Sequence, residues 1–329
     1  MARYDVYGLG NALLDIECEV SVETLQSLDI DKGVMTLLDE ETQDKILSHL
    51  SDRATKQTSG GSAANTIIAI SQFGGQAFYS CKVANDAFGQ YYLKDLLDCG
   101  VATNLQQQTP GDGITGKCLV LVTPDADRTM NTFLGVSATF SDQELDGEAI
   151  AKSQYTYIEG YLVTGETSKQ AAIKARELAT AAGQKTALTL SDLNMVKFFK
   201  DGLREMIGAG VDLLFANESE ALAMAETEDL GEAIAHLKTL AKTFAITLGP
   251  KGSVIFDGEN LLEIAGYPVK AIDTVGAGDM YAGGVLYGIT HGMGWADAGR
   301  LGSLASSKLV TSLGARLHTE ETKALLNAL

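Results

Sequence analysis

The sequence predicts an α/β fold: a doubly wound, mostly parallel central sheet flanked by helices, with a small β lid. Two observations carry this. From about residue 155, apolar segments of strand length alternate strictly with segments of helical periodicity, the pattern of a parallel sheet covered on both faces. Before that point, short strand-like runs separated by turn residues predominate, as in a β excursion from such a sheet. No repeat, low-complexity tract or Pro-rich linker interrupts the 329 residues, so one domain spanning 1–329 is expected.

In chain order, Tyr4–Leu9 is a short apolar run ending near glycine, a buried-strand pattern. Ile16–Val20 and Gly33–Leu38 read as short strands, and Ala63–Phe73 and Gly89–Leu97 as helices. Gly116–Thr123 and Arg128–Leu134, separated by Pro124-Asp125-Ala126-Asp127, read as a hairpin. The lid is expected from these early strands, within about 15–40 and 115–135. Beyond them the spacing predicts strand Tyr155–Ile158, helix Ser168–Ala182, strand Thr186–Leu190, helix Met195–Ile207 and strand Val211–Ala216. Helices Glu218–Ala225 and Ala233–Ala241, strand Phe244–Leu248, and a helical tail at Ala277–His291, Trp295–Leu313 and Glu320–Ala328 follow. In such sheets ligands bind beyond the carboxyl ends of the strands.

Composition narrows the partners. A formal net charge of −18 disfavours nucleic acid and an anionic membrane surface, both of which recruit Lys and Arg. It leaves a nucleotide open, because backbone N–H groups bind phosphate without basic residues. Cys18, Cys81, Cys99 and Cys118 form no Cys-x-x-Cys pair and read as free thiols of a reducing compartment. The first residues hold no apolar core of signal-peptide length, and no uncharged run reaches transmembrane length. A cytoplasmic location is expected. There is no Gly-x-x-x-x-Gly-Lys-Ser/Thr loop and no His-Glu-x-x-His, and the four histidines are scattered.

The most informative stretch is Asp273-Thr274-Val275-Gly276-Ala277-Gly278-Asp279, which opens a long helix. Small residues let several N–H groups turn outward at a helix N-terminus, which makes an anion site. Phosphoryl transfer needs such a site. A carboxylate at its mouth, Asp279, can orient an alcohol and take its proton; the same pattern also suits a helix cap. Gly60-Gly61-Ser62-Ala63-Ala64-Asn65 precedes an apolar helix, with Asn65 placed to bond hydroxyls and Ser62 equally suited to an N-cap role. In Gly8-Leu9-Gly10-Asn11-Ala12-Leu13-Leu14-Asp15, the third glycine of a dinucleotide fingerprint is replaced by Leu13. Asn11 and Asp15 remain, and Asp15 suits vicinal hydroxyls as well as it suits a polar loop. Asn217 and Glu220 share a face of a first helical turn. They fit the waters of Mg²⁺ or a capping box. Thr247-Leu248-Gly249-Pro250-Lys251-Gly252 follows a strand and suits a nucleotide pocket or a plain turn.

Taken together and in this order, these stretches resemble the ribokinase-like (PfkB) carbohydrate kinase family from Gly8 to about Ala315. The resemblance implies transfer of the ATP γ-phosphoryl group to a primary alcohol of a small molecule, a nucleoside or a sugar. It implies Asp279 as base, with Gly276, Ala277 and Gly278 as the anion hole. Asn11, Asp15, Gly60, Gly61 and Asn65 would hold the acceptor. Asn217, Glu220, Thr247, Gly249 and Gly252 would serve ATP, with Glu220 reaching Mg²⁺ through water. Some members bind a monovalent cation such as K⁺, for which Asp273 and Gly314 match, with Val275 and Ser312 contributing main-chain carbonyls. The adenosine kinase branch is similar in Gly10–Asp15, Leu190-Ser191-Asp192, Phe198-Phe199 and Phe215–Glu220. Within it, Arg128 matches an arginine that approaches the phosphates; as a bare sequence feature it also suits a solvated hairpin charge. Ala12, where a proline is usual, and Ala64, where a polar residue occurs, depart from that pattern. The expected activity is that of a nucleoside kinase acting on an adenosine-like acceptor; the alternatives are a furanose or hexose kinase and a non-catalytic ligand-binding member, against which the retention of Asp279 and the small residues before it argues. The lid edge suits a monomer or a homodimer.

Overall fold

The structure, a computed structural model, describes residues 3–50, 54–125 and 128–328. The elements of the first half are β1 (Tyr4–Leu9), β2 (Leu13–Glu19), α1 (Val22–Ser27), β3 (Met35–Leu37), α2 (Glu40–Leu50), β4 (Ala54–Gly60), α3 (Ser62–Phe73), β5 (Ala77–Ser80), α4 (Ala87–Asp98), β6 (Ala102–Thr103), β7 (Thr115–Val122), β8 (Arg128–Gly135), α5 (Gly147–Ala151) and β9 (Ser153–Glu159). There follow α6 (Glu166–Ala181), β10 (Lys185–Thr189), α7 (Leu193–Ile207), β11 (Val211–Asn217), α8 (Glu218–Ala225), α9 (Leu230–Leu237), β12 (Ala241–Thr247), β13 (Gly252–Phe256), β14 (Leu261–Ala265), α10 (Ala277–Thr290), α11 (Trp295–Leu309) and α12 (Thr319–Leu325).

Nine strands form the central sheet in the order β14-β13-β12-β11-β10-β9-β1-β5-β6. It is parallel from β6 to β12, while β13 and β14 pair antiparallel at one edge. Alternation along the strands splits the core in two. Tyr7, Leu9, Ile158, Leu188 and Leu214 pack on one face, while Val6, Tyr157, Ala187, Leu213 and Ala245 pack on the other. The expected fold class is the observed one.

A second sheet, ordered β3-β8-β7-β2-β4, stands apart from the first. On its outer face Leu14, Ile16 and Cys18 of β2 and Leu119 and Leu121 of β7 bury against Leu25 of α1 and Ile46 and Leu50 of α2. The alternate residues of β2, namely Leu13, Asp15 and Glu17, therefore point the other way.

The lid segments expected within 15–40 and 115–135 supply four strands of this sheet, but the fifth, β4, lies beyond them. Its sequence, Ala-Thr-Lys-Gln-Thr-Ser-Gly, has no apolar alternation to mark it as a strand. Other boundaries also shift. The Gly33–Leu38 strand shrinks to Met35–Leu37, and the tail helix ends at Leu309 rather than Leu313. The Ala233–Ala241 helix becomes Leu230–Leu237, since Asp229 caps it early by accepting from Glu232 N at 2.9 Å, and Ala241 opens β12. At the hairpin tip, Ala126 and Asp127 lie outside the described residues. No described helix is long and apolar enough to cross a membrane.

Candidate active site

A cleft of about 350 Å³ lies between the carboxyl ends of the central strands and the inner face of the second sheet, an ordinary size for a small-molecule site. Its floor is the place where strand order reverses. From β1 the chain steps outward to β5 and β6, then returns to β9 and proceeds the other way. Asn11, just past β1, meets Glu159, the last residue of β9. The Asn11 main-chain N and Nδ2 donate to Glu159 Oε1 at 3.2 and 3.1 Å, and Ala63 N, in the first turn of α3, donates to Oε2 at 2.9 Å. Burial pushes the Glu159 carboxyl up to about 7, against the pull of these bonds. The turn into α3 needs glycine: Gly61 has φ 102°, and a Cβ there would lie 2.2 Å from the Asn11 carbonyl oxygen.

The Asp279 carboxylate enters the cleft from the first turn of α10. The helix starts at Gly276, whose φ of 75° suits glycine and whose Cβ would meet Ala315 O at 2.7 Å. Ala277 N donates to Thr274 O at 3.2 Å, while the N–H groups of Gly278 and Asp279 sit where a helix has no partner of its own to offer. Asp279 does not cap its helix. Its Oδ1 accepts from Ser62 Oγ at 2.6 Å and its Oδ2 from Asn65 Nδ2 at 3.1 Å. Ser62 is not an N-cap either, because Gly61 holds that position without a side-chain bond. Burial raises the Asp279 carboxyl to about 6, opposed by Ser62, Asn65 and the charge of Arg316.

Asp15 faces the cleft from the inner side of β2, with Gly60 packed against its carboxyl. Burial pushes it to about 7; Arg316 and Arg128 pull down, and Asp279 adds repulsion. Asn217 and Glu220 form a complete capping box: Asn217 N and Nδ2 donate to the two Glu220 oxygens at 3.0 and 2.6 Å, and Glu220 N returns a bond to Asn217 Oδ1 at 2.9 Å. Both also line the cleft, and burial raises Glu220 to about 7. Thr247, at the end of β12, lines it too, whereas Gly249 and Gly252 shape the turn behind and do not.

Arg128 and Asp273 meet each other. Arg128 is neither a solvated charge nor part of the cleft wall. Its side chain is 8 % exposed, with Nη2 2.7 Å from Asp273 Oδ2 and Nη1 3.2 Å from Glu17 Oε2. Asp273 also accepts from Val275 N at 3.0 Å and Gly314 N at 2.6 Å. The carboxylate expected beside K⁺ thus pairs with a guanidinium and closes two loops.

Glu159, Arg316 and the apolar wall were not anticipated. Glu159 carries the signal that marked Asn11 and Asn217, a polar residue directly after an apolar strand. The wall consists of Leu13, Met35, Leu37, Met130 and Leu134 on the second sheet, with Phe215 opposite.

Comparison with known proteins places this geometry. The model of the pfkB family carbohydrate kinases matches residues 36–323. The solved adenosine kinase from Sinorhizobium meliloti superposes with a TM-score of 0.92 at 35% identity, covering 100% of both chains. A probable sugar kinase from Rhizobium etli CFN 42 superposes with a TM-score of 0.92 at 32% identity, covering 100% of this chain and 99% of that one. The adenosine kinase of Saccharomyces cerevisiae is 29% identical over 308 residues, 86% of this chain and 88% of its own.

Proposed function

The chain belongs to the pfkB family of carbohydrate kinases, and from that premise we propose that it moves the γ-phosphoryl group of ATP to a primary hydroxyl of an adenosine-like nucleoside, with Asp279 as base. The observation that carries the choice of acceptor is the two-sided cleft. Asn11, Asp15 and Asn65 stand on its polar side, and Leu13, Met35, Leu37, Met130 and Leu134 on the other. A nucleoside matches both sides, its ribose hydroxyls to the amides and carboxylate, its flat base to the apolar wall. A free sugar would set hydroxyls against that wall without partners, which is costly. The similarity to the adenosine kinases of two organisms supports the same reading.

The residues suggest their division of labour. Asp279, raised to about 6, is mostly ionised at neutral pH yet basic enough to take a proton as an alcohol attacks. The alcohol oxygen forms its bond to the γ-phosphorus in line with the departing β–γ bridge oxygen. Its proton goes to Asp279, and ADP leaves with the electron pair of the broken bond. Gly276, Ala277 and Gly278 bring the N-terminus of α10 to the charge that collects on the transferred oxygens. Thr247 borders the nucleotide, and Gly249 and Gly252 shape the turn behind it. Among the described residues no three His, Cys, Asp or Glu side chains gather to hold a metal. Mg²⁺ would enter with the nucleotide and neutralise phosphate charge, and Asn217 and Glu220 would hold its waters. The second sheet would act as a lid over the acceptor.

A second reading, a furanose or hexose kinase, is favoured by the likeness to the Rhizobium etli protein, equal in TM-score to that of the Sinorhizobium meliloti one. ADP release with Mg²⁺ and ATP, scored over adenosine, inosine, guanosine, ribose, fructose and glucose, separates the two. The expected result is a kcat/KM for adenosine at least about 100-fold above any free sugar, the scale at which unpaired polar groups discriminate. Turnover of a free sugar without turnover of any nucleoside would sink the nucleoside reading.

A further inference from the structure

Arg316 lies in the coil between α11 and α12, and its side chain is 15 % exposed. Its three nitrogens donate in three directions: Nε to Asn65 Oδ1 at 2.9 Å, Nη1 to Asp95 Oδ2 on α4 at 2.8 Å, and Nη2 to the main-chain oxygen of Ser59 on β4. A planar guanidinium tied at three points has little freedom. An amide, by contrast, has one accepting end and one donating end. Because Arg316 takes the oxygen of Asn65, the Nδ2 end faces Asp279 and donates to its Oδ2 at 3.1 Å. Flipped, Asn65 would set its oxygen against a carboxylate and its NH₂ against a guanidinium, losing both bonds.

We infer that Arg316 is a positioning residue for phosphoryl transfer, one that fixes the Asn65 amide and through it the Asp279 carboxylate without touching either substrate. The inference rests on the reading of Asp279 as base. A second consequence follows from charge. Asp279 is surrounded by acidic and phenolic groups: Asp15 on β2, Tyr157 and Glu159 on β9, Tyr161 in the turn after β9 and Glu220 on α8. The cation whose field reaches it is Arg316, which pulls its carboxyl down against burial. Arg316 also pulls Asp15 down, with Arg128 assisting there.

Arg316→Gln removes both the fork and the charge, whereas Arg316→Lys keeps the charge alone. Arg316→Gln is expected to lower kcat by about tenfold, the loss of one charge-assisted hydrogen bond, with KM for ATP within about twofold. Its acid limb in kcat/KM should move up by about half to one pH unit. Arg316→Lys should lose kcat similarly while its limb stays near the parent's. Arg316→Gln and Asn65→Ala should combine to less than the product of their separate effects, because one acts through the other. A merely structural arginine would lower Tm and leave kcat per folded molecule and the limb unmoved; that result overturns the inference, as does a fully multiplicative double mutant. If Arg316→Gln does not fold, full kcat in Arg316→Lys overturns it. If the parent phosphorylates no acceptor, the kinase reading fails separately. The ¹³C titration of the Asp279 carboxyl, assigned with Asp279→Asn, keeps the two failures apart: an unchanged pKa in Arg316→Gln overturns the coupling of Arg316 to Asp279 in either case, and a raised one upholds that coupling alone.

Discussion

The two walls of the cleft are built differently. The central-sheet wall takes its functional groups from strand ends and helix starts embedded in two large cores: Asn11 after β1, Glu159 ending β9, Asn217 ending β11, Glu220 in α8 and Asp279 in α10. Each is fixed by further hydrogen bonds, and burial raises the carboxyls of Glu159, Glu220 and Asp279. The second-sheet wall is mostly apolar and rests on a core that, among the described residues, has nine buried side chains shared between the sheet, the turn after β2 and two helices. A thin core opens at lower cost than a thick one. On the proposed reading, bond-making chemistry would sit on the wall backed by the larger cores, and the apolar side of the acceptor would lie on the wall backed by the smaller one. The walls meet through Arg128 of β8, paired with Asp273 just ahead of α10. Variants of Asp279 on the first wall should therefore act on kcat, and variants of the apolar residues of the second on KM for the acceptor.

The largest effect expected is that of Asp279→Asn. The amide keeps the shape and still bonds Ser62, but cannot take a proton, so kcat should fall by about 10³-fold. ATP affinity, measured directly by titration, should stay within a few-fold of the parent, since the role belongs to the transition state. A variant with kcat near the parent's would dissolve the distinction between the walls, because the stiff one would then hold no base.

The next largest is the pH dependence. On the proposed mechanism Asp279 would work ionised, and burial has raised it to about 6. As pH falls through that value the carboxylate is protonated and the rate drops, approaching about tenfold per unit below it. The acid limb of kcat/KM should therefore lie near 6 and well above an exposed aspartate's. Asp15, raised to about 7 in the same cleft, titrates first and is coupled to it. Repeating the profile in Asp15→Asn removes that contribution. A limb near 4 in both proteins would contradict the burial of Asp279.

The stiff wall was largely legible in the sequence, because its signals are local. A polar residue directly after an apolar strand, or a run of small residues opening a helix, can be read within a few positions, and Asn11, Asn217 and Asp279 were found that way. What Asp279 bonds to was not legible: Ser62 and Asn65 approach it from far along the chain, and Ser62 suited a local N-cap role. The soft wall was hardly legible. An apolar residue on a strand looks the same whether it faces a core or a cleft, so nothing separated Met130, which lines the cleft, from Leu119, which is fully buried. The polar strand β4 lacked any alternation to betray it. Arg128 illustrates a third case. Its charge was visible, but its partners Glu17 and Asp273 come from another strand and a distant loop, and only the fold brings them together.

The smallest effect is the one that tests the soft wall directly. Met130 of β8 is half-buried, and its side chain borders the cleft beside Leu134. Met130→Ala would withdraw apolar surface from a bound base without touching Asp279, Asn65 or the helix N-terminus. Losing roughly 1 kcal/mol of contact, part of a methionine's full burial value, corresponds to about a fivefold rise in KM for the nucleoside. The kcat should hold, because the apolar contact is equally present in ground state and transition state. Steady-state kinetics at saturating ATP read both numbers in one experiment. A fall in kcat with KM unmoved would mean that the second sheet takes part in aligning the reacting groups, and the division between the walls would break at its weakest point.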